Sequence, residues 1–175
     1  PAFLFSPVPL GYNPKNLSTT TDFSLPKEVN LPDNIEEISF YSVAELSVLI
    51  KNRKMSSLEL TKLYIDRLKR YDPILHCVIT LLEDRAIEQA KRMDEELAKG
   101  IYRGQLHGIP YGVKDLLALE GYPFTWGSAI YKDQIADLTS PVIIKLDEAG
   151  AVLVTKLSLG ELAWGDVWFK DKTRN

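Results

Sequence analysis

With 175 residues, 45% of them hydrophobic, the chain is long enough to bury a core and form one domain, although a large catalytic domain needs more. Lys and Arg number 21 against 24 Asp and Glu, and the formal net charge is -3 with no dense basic run, so direct binding to nucleic acid is not expected. The single cysteine, Cys77, excludes an internal disulfide, and no apolar run approaches the roughly 20 residues of a membrane span. "PAFLF" lacks the basic flank of a signal peptide, and a start at Pro1 is compatible with removal of an upstream segment. A cytoplasmic setting is slightly favoured, with export left open.

In chain order, residues 1–41 begin with a Pro-rich lead-in of Ser, Thr and Asn that suits an extended arm better than helices. From residue 42 to 175 the pattern is that of a folded domain. "SVAE" at Ser42 has the spacing of a capping box, and Val43, Leu46, Leu49 and Ile50 repeat at helical intervals. "SSLE" at Ser56 repeats the cap for a second helix, with Leu60, Leu63, Tyr64 and Leu68 on one stripe and an end before Asp72 and Pro73. "ILHCVITLL" is rich in branched residues and predicts a strand. A third helix is expected from about Glu83 to Lys99, with Ala86, Ile87, Ala90, Met93 and Leu97 inward and Gly100 as its stop.

After Gly104 the texture changes. "IPYGV" is a short apolar strand, "SPVIIKLDEAG" carries a Ser cap, a first-turn Pro and a Gly exit, and "AVLVTK" is a second buried strand. Two apolar strands flanking a helix predict a right-handed βαβ crossover in a parallel sheet. "SLGE" at Ser158 predicts a cap for a short helix holding Leu162, Ala163 and Trp164. Two parallel strands leave faces and edges that need cover, so the domain is expected to be incomplete.

Few residues offer chemistry. His76 and Cys77 are neighbours whose side chains would leave opposite faces of a strand, and two histidines and one cysteine make no zinc pattern. There is no phosphate-cradling glycine loop and no dinucleotide fingerprint. Asp94, Glu95 and Glu96 are consecutive, so they fan around the third helix and are expected to be solvated.

Lys114, closing "HGIPYGVKD", stands out because it follows an apolar strand at its carboxyl end, where open α/β sheets place their sites. A lysine there either snorkels to water or pairs with a carboxylate, or it is held dry and neutral and serves as a base. Asp115 would keep it charged unless the strand runs through both and sends them to opposite faces. Lys156, ending "AVLVTK", is a second candidate by the same reasoning.

The ordered series "HGIPYGVKD", "TWGS" and "DEAGAVLVTKLSLGELAWG" resembles the amidase signature family, with the likeness running from about residue 42 to the end. The resemblance implies an α/β fold in which N-terminal helices precede the first part of a mixed sheet sandwiched by helices. It implies hydrolysis of a small-molecule amide by a Ser, cis-Ser, Lys triad, with Lys114 as the catalytic lysine and no metal or organic cofactor. Leu162, Ala163 and Trp164 match a stretch near the family's substrate pocket, although Trp164 is equally suited to core packing.

No run like the family's Gly/Ser-rich segment occurs, and Ser128 and Ser158 do not substitute for it. The chain is therefore expected to be the N-terminal part of an amidase, inactive alone and reliant on the remainder of that domain. Homodimerisation is left open. Two alternatives stand beside this reading. One is the ammonia-liberating component of a tRNA-dependent glutamine amidotransferase, against which the Pro-rich arm argues mildly; the other is a noncatalytic binding or scaffolding module.

Overall fold

The computed structural model describes residues 25–174. Most of the arm expected over residues 1–41 lies outside them; within its last part, Ile35–Phe40 form a 3-10 helix capped by the Asn34 side chain. Glu36 on that turn receives Arg67 and Arg70 from the second helix, pinning it to the body.

Both capping boxes form. Ser42 and Glu45 open α1 (Val43–Lys51), and Ser56 and Glu59 open α2 (Ser57–Leu75), each serine accepting the third amide while the glutamate accepts the cap amide. α2 does not end before Pro73 as expected. The proline falls in its last turn, where one missing donor is tolerated, and the helix stops at His76, whose φ of 51° places it in the left-handed region. The Asp72 carboxylate then takes the amides of Cys77 and Val78, so only Val78–Leu81 of the expected strand forms β1.

α3 (Glu83–Ala98) follows the predicted stripe, with Ala86, Ala90 and Met93 buried. Its acidic run is not merely solvated. Asp94 accepts the amides of Ser57 at 2.7 Å and Leu58 at 3.0 Å, capping the first turn of α2 from a neighbouring helix, and Glu96 grips Arg103. That guanidinium holds the Glu96 carboxyl below its ordinary value.

β2 (Pro110–Lys114), α4 (Pro141–Glu148) and β3 (Val152–Leu157) make the expected crossover, with β2 and β3 parallel. β1 adds antiparallel to the other side of β3, giving the order β1-β3-β2 and a mixed sheet. Val152 and Val154 pack against Ile65 of α2 and Ala86, Ala90 and Met93 of α3. Leu153 packs with Val113, Leu119 and Ile143 of α4 on the opposite side. Burying each such side chain contributes about 1.5–3 kcal/mol, so β3, covered on both faces, anchors the sheet.

Between β2 and β3 the register slips by one residue. Tyr111 pairs with Leu153, but Gly112 pairs with Thr155 and Val113 with Lys156. Because side chains alternate along a strand, the slip turns Lys156 to the face of Val113 and of Asp115 just beyond it, while Gly112 and Lys114 share the other face.

Candidate functional site at the carboxyl ends of the parallel strands

The expectation that Lys114 and Asp115 part company holds. Lys114 ends β2 with its side chain exposed, whereas Asp115 is fully buried. The Lys114 backbone carbonyl accepts the Leu117 amide, whereas its side-chain amine makes no hydrogen bond or ion pair among the described residues. The dry surroundings anticipated for it are not present here: Gly112 and Lys114 lie on a stretch of sheet face left exposed.

The desolvated amine is that of Lys156. Its side chain is 0% exposed, its Nζ lies 2.7 Å from Asp115 Oδ1, and it donates to the carbonyl of Pro123 and sits 5.6 Å from the centre of the Phe124 ring. A buried ammonium needs an opposite charge and further acceptors, and here it has both. The other carboxylate oxygen of Asp115 accepts the Thr125 amide at 2.9 Å and the Thr125 hydroxyl at 2.5 Å. Thr125 Oγ1 in turn receives the amide of Gly127. The loop between β2 and α4 is thereby folded down over the strand ends by one buried ion pair.

Glycine is required at two places in this layer. Gly127 has φ 69°, and a Cβ there would lie 2.4 Å from the carbonyl oxygen of Leu159. A Cβ at Gly160 would lie 2.0 Å from the carbonyl oxygen of Trp164. These approaches bring "TWGS" and "SLGELAW" together, and the Leu162 amide donates to the Trp126 carbonyl.

The short helix expected after Ser158 is instead a 3-10 turn, Glu161–Ala163, flanked by Gly160. Ser158 does not cap it; its hydroxyl is bonded to that of Thr173. Leu162 and Ala163 have positive φ, which breaks any regular helix. Ser128 is buried, donates to Glu161 and receives the amide of Ile130. Leu162 lines a cavity of about 380 Å³ with Trp126, Tyr131 and Gln134, and Lys114 is not among its walls. Ala163 is exposed, and Trp164, at 87% exposure, packs into neither a core nor this cavity.

His76 and Cys77 form no thiol–base pair. His76 Nδ1 sits 2.6 Å from Asp171 and Nε2 bonds the Pro73 carbonyl, while burial pushes the Cys77 thiol up. His107 is buried and held at both nitrogens, Nε2 against the Met93 carbonyl and Nδ1 accepting the Arg103 amide, so Nε2 carries the proton. The residues that sequence reasoning missed are Asp115 and Thr125 as the partners of Lys156. The signal was faint, because alternation alone would have put Lys156 on the wrong face.

A mixed, helix-covered sheet with lysines at the carboxyl ends of adjacent parallel strands defines an α/β protein of the open-sheet type, whose sites lie at those ends. The Amidase family profile matches residues 59–167, and the chain belongs to this family, in its amidase signature group. It is 35% identical over 124 residues to the glutamyl-tRNA(Gln) amidotransferase A-subunit of Gloeothece citriformis, covering 71% of this chain and 26% of that protein. It superposes on the native peptide amidase of Stenotrophomonas maltophilia with a TM-score of 0.67 and 30% identity, over 72% of this chain and 26% of that one. An amidase family protein of Bacillus anthracis gives a TM-score of 0.64 at 30% identity, over 73% and 27%. The chain thus spans about a quarter of the length of these relatives.

Proposed function

We propose that these residues form the N-terminal part of an amide hydrolase in which Lys114 is the catalytic base of a Ser, cis-Ser, Lys triad. The observation that carries the reading is the partition of charges at the strand ends: Asp115 is engaged by Lys156 and Thr125, which leaves the adjacent Lys114 amine without a carboxylate partner among the described residues. An amine so placed can accept a proton once it is desolvated.

Both serines come, in this reading, from the three quarters of the relatives' length that the chain does not span. Neutral Lys114 takes a proton from the bridging serine, which takes one from the nucleophilic serine as that oxygen bonds the amide carbon. The relay returns a proton to the leaving amine when the C–N bond breaks, and water then cleaves the acyl-enzyme ester. Leu162, Ala163 and Trp164 lie at one wall of the substrate region; the cavity shared by Leu162 and Trp126 supports this for Leu162. Residues 1–175 alone are inactive in this account.

The test uses the full-length protein, assayed for amine or ammonia release from a C-terminally amidated dipeptide and an aryl acylamide. Lys114→Ala should lower kcat by about 10²–10⁴-fold with little change in KM. Turnover equal to the parent's would remove Lys114 from the mechanism. A second reading, in which the protein is the glutamine-hydrolysing component of a tRNA-dependent amidotransferase, is favoured by the Gloeothece relative. It predicts glutamine hydrolysis that depends on copurifying companion proteins.

A further inference from the structure

Lys156 is a fully buried charge, and the mechanism above makes no use of it. It sits where a large apolar side chain would fill the same space, and replacing a buried ion pair by packed hydrophobic residues is often neutral or stabilising. Its presence therefore calls for a reason beyond cohesion. Three observations bear on one. The register slip between Tyr111 and Gly112 is what turns Lys156 to the Asp115 face. The Lys156 ammonium then meets the Asp115 carboxylate at 2.7 Å with both side chains 0% exposed. Asp115 is also the residue next to Lys114, so its charge acts on the Lys114 amine through the strand.

We propose that Lys156 is a positioning residue for Lys114: by cancelling the charge of Asp115 on the far side of β2, and by holding Pro123 through Thr125 over the strand ends, it keeps Lys114 free to act as a base. This rests on the reading of Lys114 given above. Lys156 faces Asp115 from β3 and Lys114 stands on the opposite face of β2; the loop between β2 and α4 also carries Glu120, Lys132, Asp133 and Asp137, and Glu161 beyond β3 accepts from Ser128. Phe124 and the Pro123 carbonyl complete the surroundings of Lys156 without adding a net charge.

If Lys156 is replaced by an apolar residue, the negative charge of Asp115 is no longer offset and favours the protonated form of Lys114. If Asp115 is neutralised instead, the positive charge of Lys156 is left and favours the free amine. The two changes should therefore move the same activity profile in opposite directions, a behaviour that loss of packing does not produce.

The experiment measures kcat/KM against pH for the full-length protein, using the amidated dipeptide or the aryl acylamide, whichever the parent cleaves faster. The variants are K156M, K156R, D115N, the double variant D115N/K156M, and K114A. In K156M the acid limb should move to higher pH by about half a unit or more, and in D115N to lower pH. The double variant should bring the limb back toward the parent position, and K156R should leave it near there. Since an unpaired buried charge threatens folding, thermal midpoints are recorded alongside, and either single variant that folds suffices for the sign.

Acid limbs of K156M and D115N that coincide with the parent's, whatever the loss of folded protein, would overturn the proposal and leave the pair with a purely structural role. The K114A control separates the two ideas. An active K114A removes the reading of Lys114 itself, whereas an inactive K114A with coincident limbs removes only the role of Lys156.

Discussion

At the scale of single residues, the same chemical type does different work according to its surroundings. Lys114 and Lys156 lie at the carboxyl ends of neighbouring strands, yet the side chain of one is exposed without a partner among the described residues and the other is enclosed with three. His107, drawn from the same "HGIP" stretch, is a structural tie between α3 and the turn leading to β2, with the Tyr102 ring 5.5 Å away. His107→Phe preserves a ring for that contact but leaves the Met93 carbonyl and the Arg103 amide without their partner. The expected cost is about 1–3 kcal/mol, read as a lower denaturant midpoint at unchanged slope. Tyr111 shows the complementary case: its hydroxyl is buried without a hydrogen-bond partner among the described residues, and burial raises its ionisation above the ordinary value.

At the scale of elements, helix starts depend on local chemistry that titrates. Glu59 is held below its ordinary value of 4.5 by the Ser56 amide first and the Ser56 hydroxyl second. A depressed carboxyl stabilises the fold above its unfolded value, and that contribution is lost as pH falls through the folded value. Glu59→Gln should therefore lower the thermal midpoint at pH 7, and the gap from the parent should shrink as the pH is taken below 4.5. These starts were legible in the sequence because a capping box is a four-residue signal, and so were the strands that flank α4, since a continuous apolar run has few alternatives. What was not legible depended on contacts from elsewhere. The extension of α2 past Pro73 relies on Asp72 and a left-handed His76, and the irregular turn at Leu162 relies on Trp126. The burial of Lys156 relies on a one-residue slip in a pairing that no single strand encodes. Lys114 stood out by its place at the end of an apolar strand, and only resemblance to a family set it above Lys156 as the catalytic candidate, whereas its separation from Asp115 followed from strand alternation alone.

At the scale of the whole molecule, the apolar surface is unevenly distributed. Ile130, Leu162, Trp164 and Val167 are each at least 60% exposed and lie in the loops at the carboxyl ends of the strands and beyond. Contiguous exposed apolar surface marks a place of contact with other surface, and the proposal that these residues are the N-terminal part of a longer amidase supplies that surface. In residues 1–175 produced by themselves, acrylamide should quench Trp164 readily, a component that Trp164→Phe abolishes; in the full-length protein the same component should be shielded. Equal quenching in both would mean that nothing covers this face. The carboxylate of Asp94, seated on the first amides of α2, has a consequence for how order spreads through the chain. Those amides can be protected from exchange with solvent only while α3 is docked, so the two helices should gain and lose their protection as one cooperative unit, although a strand separates them in sequence.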